Sequence, residues 1–184
     1  NLDMNFSFVV SKTKTSTASN KQKLAPNNPI RIALGFKKQE VIRIKGSSLS
    51  NLFNGEAYFK KIPADTVVEV KQLANKRFRV KIGSQYKIMK GPVRMSTVSD
   101  TGYITIINYQ NRPAWNYKLN DNTFLGTVEV ISEDGKLRAV NELLMEDYLK
   151  GMAEVSNDEL PEKMKAIIVA ARSYATYYMT QAQK

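Results

Sequence analysis

Short runs of alternating apolar and polar residues constrain the fold of this chain most, because they recur from Ile30 to Tyr109. Successive side chains of a strand point to opposite faces of a sheet, so alternation is typical of a strand with one buried face. The clearest runs are IRI at 30–32, VIRIK at 41–45, FRVKI at 78–82 and YITI at 103–106. Many short strands of this kind predict a small antiparallel β-domain, a barrel or a sandwich.

Turn-forming residues separate these runs and support the strand interpretation. They lie at residues 46–48, 54–55, 74–76, 83–84, 91–92 and 100–102. Farther along, Asp134 and Gly135 separate an alternating run at 127–131 from a second one at 137–140. An Asp-Gly pair in this position predicts a tight hairpin, whose second strand leads to Asn141.

After Asn141 the apolar spacing changes to three- and four-residue steps, which is typical of helices. We predict a first helix that begins at Asn141 and ends near Glu154, and its first turns contain Glu142, Glu146 and Asp147. A second helix is predicted to begin at Pro161, since proline fits the first turn of a helix. The apolar residues of the second helix are Met164, Ile167, Ile168, Ala171, Tyr174 or Ala175, and Tyr178. The predicted fold class is therefore α+β, a small antiparallel β-domain followed by two helices.

Positive charge is concentrated in the first part of the chain. Residues 1–110 hold 19 Lys and Arg against 6 Asp and Glu, whereas residues 111–184 hold 9 against 11. A basic domain favours a polyanion, which includes nucleic acid, an anionic lipid surface and cell-wall polymers rich in carboxylate and phosphate. Lys and Arg on the solvated faces of strands would give the same pattern without any partner. Residues 1–29 are predicted to be a flexible N-terminal segment, rich in Ser, Thr, Lys and Asn.

The chain contains neither His nor Cys, which narrows its chemistry. A Ser-His-Asp triad, a Cys-His dyad and disulfides are excluded, and so is the commonest zinc ligand. We expect no metal and no cofactor. Any catalysis must come from carboxylates, lysines, tyrosines or arginines.

Residues 141–178 carry two motif blocks. The first consists of Asn141, Glu142, Glu146, Asp147, Tyr148, Leu149, Gly151 and Glu154, and the second of Lys165, Ala166, Val169, Ala170, Ala171, Arg172, Ser173, Tyr174 and Ala175. In their residues and spacing, the two blocks resemble the SpoIID/LytB family of stage II sporulation D and amidase-enhancer proteins. The chain departs from the family pattern at Val155 and Ser156, where members commonly have Met-Pro, and at Ile167 and Ile168.

The resemblance implies a lytic transglycosylase that cleaves peptidoglycan glycan strands between MurNAc and GlcNAc. It implies that Glu154 is the general acid and base. The alternation and the charge predict a basic β-domain at 30–110, and the resemblance implies a SpoIID-like catalytic segment at 111–184 whose domain continues in the remainder of the polypeptide after Lys184.

Apolar neighbours at the junction of the two predicted helices would partly desolvate Glu154 and raise its pKa, as a general acid requires. Arg172 could orient Glu154 or bind a substrate acetamide or carboxylate, and the alternative is a structural ion pair. Tyr148 and Ser156 are further candidate substrate-binding residues. Trp115, in a stretch where aromatic and polar residues alternate, could stack on a sugar or fill the junction between sheet and helices.

Two functions remain open from the sequence. The first is the transglycosylase, with the basic β-domain holding peptidoglycan glycan strands. The second is a non-catalytic wall-binding module or an activator of an amidase or other cell-wall hydrolase. Either would act outside the cell, at the cell envelope. Nucleic acid is not an expected partner, because the basic strands lack the aromatic and arginine interleaving that stacks bases.

Overall fold

The computed structural model describes residues 29–35, 39–112, 117–151 and 160–181. Twelve strands and two helices lie in these ranges. The strands are β1 (Ile30–Ala33), β2 (Val41–Gly46), β3 (Ser50–Asn54), β4 (Ala57–Ile62), β5 (Val68–Gln72), β6 (Phe78–Ile82), β7 (Gln85–Met89), β8 (Val93–Thr97), β9 (Ile104–Ile106), β10 (Thr123–Phe124), β11 (Thr127–Glu133) and β12 (Lys136–Leu143). The helices are α1 (Met145–Lys150) and α2 (Pro161–Gln181).

The strands form two antiparallel sheets of six. The first has the order β1-β12-β11-β8-β3-β4 and the second β10-β9-β2-β5-β6-β7. The predicted α+β class, an antiparallel β-domain followed by two helices, is confirmed. Both sheets are open, so the barrel that the alternation also allowed does not form.

One apolar core holds the two sheets, and it consists of the inward side chains of their strands. In β6, Phe78 and Val80 are buried while Arg79 and Lys81 are exposed. The same alternation buries Ile42 and Ile44 of β2. Because the apolar positions face inward, the Lys and Arg of these strands lie on the outer faces, as the sequence predicted.

The predicted hairpin at Asp134 and Gly135 is present between β11 and β12. Both residues have positive φ, 51° and 76°, as a two-residue turn of this type requires. The start predicted for the first helix, however, is wrong. Asn141 and Glu142 belong to β12, because their backbones pair with Val128 and Thr127 of β11 and the ladder continues beyond the predicted strand.

Residues 32–142 form one compact unit, and residues from Leu143 onward belong to a second. Within the first unit, strands from both sides of residue 110 share each sheet: β11 pairs with β8, and β10 pairs with β9. The predicted domain limits stay a prediction, and residues 1–28 lie outside the described part of the chain.

We predict that Gly135→Ala destabilises the β-domain by about 1 kcal/mol, because an L-residue resists the left-handed conformation. An added Cβ would meet nothing within 4 Å at Gly135, so the loss would come from the backbone alone. Gly35→Ala is the matched control, since its Cβ also meets open space and no positive φ is recorded there. Urea unfolding should show a lower midpoint only for Gly135→Ala. Equal losses in both variants would contradict the conformational explanation.

Candidate functional site

The short helix α1 follows β12 directly and carries the middle of the first motif block. Its N-cap residue, Leu144, is extended, and its side chain makes no cap hydrogen bond. The backbone N–H of Gly151 donates to the carbonyl oxygens of Asp147 and Tyr148, at 3.3 and 3.1 Å, and ends the helix at Lys150. The helix therefore begins later than predicted, and the end predicted near Glu154 lies outside the described residues.

The long helix α2 begins at Pro161, as predicted, and carries the second motif block. Ala171 and Ala175 are its buried residues, 4% and 0% exposed. Their small side chains allow another element to approach the helix closely. Ile168, predicted on the buried stripe, is exposed, whereas Ile167 is half-buried.

An ion pair between Glu146 of α1 and Arg172 of α2 joins the two motif blocks. Arg172 Nη1 lies 2.5 Å from Glu146 Oε1, and Arg172 Nη2 lies 2.9 Å from Glu146 Oε2. Both carboxylate oxygens are engaged, which is the two-pronged geometry that a guanidinium favours. The structural ion pair, the alternative that the sequence left open for Arg172, is the arrangement in the structure. Two of the five N–H donors of the Arg172 guanidinium are used in this ion pair.

The ion pair shifts the titration of both partners. The hydrogen bond from Arg172 lowers the pKa of Glu146, and the guanidinium charge and that of Lys150 act in the same direction. The same hydrogen bond raises the pKa of Arg172. Both side chains remain solvent-accessible, 64% for Glu146 and 45% for Arg172, so water screens the pair and its contribution to stability is modest.

Three further motif residues of α1 are described by their burial or their hydrogen bonds. Tyr148 is 8% exposed and Leu149 is 7% exposed, so both are buried. Asp147 accepts a hydrogen bond from Lys150 Nζ at 2.9 Å. Asp147 is therefore engaged by its own helix.

The first two motif residues, Asn141 and Glu142, act within the β-domain. The Asn141 side-chain amide donates to the carbonyl oxygens of Leu125 and Thr127, at 2.8 and 3.2 Å. Glu142 Oε1 accepts from Arg94 Nη2 at 2.5 Å, and the other arm of Arg94 pairs with Glu56. These residues hold the start of β11 and the end of β12 in place. These two motif residues thus stabilise the end of the strand that leads into α1.

Sequence reasoning did not single out Arg94. Buried Val93 and Met95 flank it, and this alternation marks it as an outward residue of a strand. Its partner Glu142 lies 48 residues away in sequence, and only the register of β8, β11 and β12 brings the two strands into one sheet.

Three predicted site residues, Glu154, Ser156 and Trp115, lie outside the described residues. Arg172 and Tyr148 are described, and their substrate-binding roles stay predictions. Among the residues that the structure describes, no group of three or more acidic side chains is arranged to hold a metal ion. Neither described helix is long and apolar enough to cross a membrane.

An open depression of about 930 Å³ lies in the β-domain, between the turn at residues 72–76 and the turn at 132–135. None of the residues proposed for chemistry lines it. It therefore carries no argument for catalysis.

Comparison with known proteins adds to this geometry. Residues 133–184 match the family model SpoIID, described as stage II sporulation protein. The resemblance to SpoIID is confirmed. The SpoIID match begins at the β11–β12 turn and includes β12, α1 and α2. It indicates a role related to the cell wall.

A further match is an uncharacterized protein of Brachyspira hyodysenteriae, which is 40% identical over 65 residues. The aligned stretch covers 34% of this chain and 18% of that protein, so the chain spans a small part of the length of this relative. No solved structure matches the chain.

We predict that the Glu146–Arg172 pair couples α1 to α2 at neutral pH and that acid abolishes the coupling. Because the pKa of Glu146 is lowered from its ordinary value of 4.5, the contribution is complete above that value and is lost as the pH falls through the lower one. The test is a double-mutant cycle of Glu146→Gln and Arg172→Gln at pH 7. The melting temperature of the double variant should fall no further than that of either single variant.

The coupling should be smaller when the cycle is repeated at a pH below the ordinary carboxyl value of 4.5. Glu162→Gln is the control, because Glu162 lies exposed in the first turn of α2 and has no ion pair in the described part of the chain. A coupling of the same size at both pH values would show that the two side chains do not interact through charge.

Proposed function

We propose that this chain is part of a peptidoglycan lytic transglycosylase in which Glu154 is the general acid and base. The observation that carries the proposal is the meeting of the two motif blocks in one ion pair, between Glu146 and Arg172. Glu154 belongs to the segment that joins the two helices, from Gly151 to Leu160. Both ends of that segment are attached to helices that motif residues link through this ion pair.

A single carboxyl group is sufficient for this reaction. The carboxylic acid donates its proton to the oxygen of the glycosidic bond as the bond between that oxygen and C1 of the sugar breaks. The resulting carboxylate then takes the proton of the C6 hydroxyl of the same sugar, whose oxygen bonds to C1. The product is a 1,6-anhydro ring, and the carboxyl group is protonated again.

Hydrolysis by water normally uses two carboxylates that flank the bond, one as the acid and the other as the base or nucleophile. In the lytic reaction the substrate supplies its own nucleophile, so the second carboxylate is not required. This fits a chain that has neither His nor Cys. The reaction needs neither metal nor cofactor.

The remaining site residues are proposed to bind the glycan. Arg172 uses two N–H donors on Glu146, which leaves three for a substrate acetamide or lactyl carboxylate. Because Glu146 offsets the charge of Arg172, the guanidinium lowers the pKa of a nearby carboxyl group less than an unpaired guanidinium would. Tyr148, Ser156 and Trp115 are proposed to line the sugar subsites.

A second candidate function is a non-catalytic wall-binding module or an activator of an amidase. The observation that favours it is the charge of the β-domain, whose exposed strand positions in β6 and β7 include Arg79, Lys81 and Lys87. Such a surface can hold an anionic polymer without any cleavage. In either case we propose that the protein acts outside the cell at the envelope, on peptidoglycan glycan strands and together with the rest of its polypeptide.

We predict that Glu154→Gln lowers the release of 1,6-anhydro-ended glycans by the full-length protein at least about 100-fold, the usual loss when a general acid is removed. The amide keeps the size of the side chain but cannot donate the carboxyl proton. Glu162→Gln is the matched control and should keep the wild-type rate, since Glu162 lies exposed at the start of α2.

Anhydro products are counted by mass spectrometry after digestion of purified glycan strands. A Glu154→Gln protein that binds peptidoglycan as the wild type does and cleaves it at the wild-type rate would refute the assignment. A wild-type protein that binds without any product would leave the wall-binding function.

A further inference from the structure

The outer face of the second sheet, on β5, β6 and β7, combines cations that have no ion pair among the described residues with an exposed aromatic ring. We propose that this face is a binding surface for peptidoglycan, separate from the chemistry assigned to Glu154. In this proposal a sugar ring stacks on Tyr86 while Arg79, Lys81 and Lys71 pair with carboxylates of the same polymer. We call these four residues the basic face. The identity of the polymer rests on the proposed function, but the surface itself does not.

The strand register brings the residues of the basic face together. Arg79 of β6 lies opposite Lys71 of β5 and Ile88 of β7. Lys81, two residues along β6, lies opposite Tyr86 of β7. Neighbouring strands are about 4.8 Å apart, and alternate residues of a strand are about 6.6 Å apart. The three cations and the ring therefore occupy adjacent positions on one surface.

Within the described residues, the cations of this surface have no carboxylate bound to them. The carboxylate nearest in the register is Glu69, opposite Lys81, and it accepts a hydrogen bond from Arg43 Nε at 2.8 Å. In the described part of the chain, Lys71, Arg79 and Lys81 have no ion pair or hydrogen bond through their side chains. Because Lys71 and Arg79 lie directly opposite one another, their repulsion destabilises the sheet. A bound anion would relieve that repulsion, which is the physical reason to expect one.

The aromatic ring decides which kind of polyanion fits. Tyr86 is 70% exposed, and Ile88, beside it on the same face of β7, is 40% exposed. An exposed ring with an apolar neighbour suits the CH face of a sugar. Proteins that bind single-stranded nucleic acid stack successive bases on several rings. Among the described positions that the register places on this part of the sheet, Tyr86 is the one aromatic residue, so an anionic glycan fits better than a nucleic acid.

The test is co-sedimentation of the full-length protein with purified, insoluble peptidoglycan freed of other polymers. All proteins carry Glu154→Gln, which under the proposed function leaves the polymer intact, and soluble glycan released into the supernatant would report a failure of the catalytic assignment separately from binding. The test variants are Arg79→Gln with Lys81→Gln, and separately Tyr86→Ser. The matched control is Lys60→Gln with Lys61→Gln, which removes the same charge from exposed positions of β4 in the other sheet.

We expect the Arg79/Lys81 double variant to bind at least about tenfold more weakly, since two charge-assisted contacts are lost. Its binding should also depend less steeply on salt. Tyr86→Ser should weaken binding and keep the salt dependence, and the Lys60/Lys61 control should bind as the parent does. Amidation of the peptidoglycan carboxylates should weaken binding of the parent but change that of the double variant little.

Other results would overturn the proposal. Equal losses in the double variant and in the control would mean that net charge alone drives binding. No loss in either would place binding elsewhere. If a single-stranded oligonucleotide displaced peptidoglycan and lost affinity with the same substitutions, the surface would belong to nucleic acid. Circular dichroism and melting of each variant separate these outcomes from misfolding, and removal of the Lys71–Arg79 repulsion should leave the melting temperature unchanged or higher.

Discussion

The structure depends on the burial of one side of each strand against the opposite sheet. Residues such as Ile44, Val70 and Val80 are fully or almost fully buried in a core that both sheets share. Burial of this kind fixes the register, because a shift by one residue would turn every apolar side chain to water. It also forces the Lys and Arg between the apolar positions outward. The basic face and the position of β12, from which the helices start, both follow from that single constraint.

The helical segment is held in a different way. In α2 the buried residues are Ala171 and Ala175, which contribute little apolar area. Close backbone approach and polar contacts therefore contribute a larger share of the stability there than in the sheets. The Glu146–Arg172 ion pair supplies one such contact between the two motif blocks. The matched SpoIID segment includes both partners. Motif residues thus link α1 to α2 through this ion pair, others pair at the end of β12, and the segment with Glu154 joins the two helices in sequence.

The sequence was a good guide where a pattern is local. The alternation around Arg79 and the Asp134–Gly135 turn predicted a strand and a hairpin that are present. The sequence-based prediction was wrong where strand pairing overrides local spacing. Glu142 was predicted in the first turn of a helix, yet its backbone pairs with β11 and its side chain pairs with Arg94. No local pattern indicates a partner 48 residues away. The role proposed for Glu154 rests on the family pattern, since Glu154 lies outside the described residues.

The central claim is that one carboxyl group cleaves a glycan with the sugar's own hydroxyl as the nucleophile. Its most direct test is the mass of the new chain ends that the full-length wild-type protein makes from purified glycan strands. The account predicts 1,6-anhydro ends, lighter by one water than ordinary reducing ends. Reducing ends would contradict it, since they require water as the nucleophile and a second carboxylate to activate it or to form the covalent intermediate that it hydrolyses.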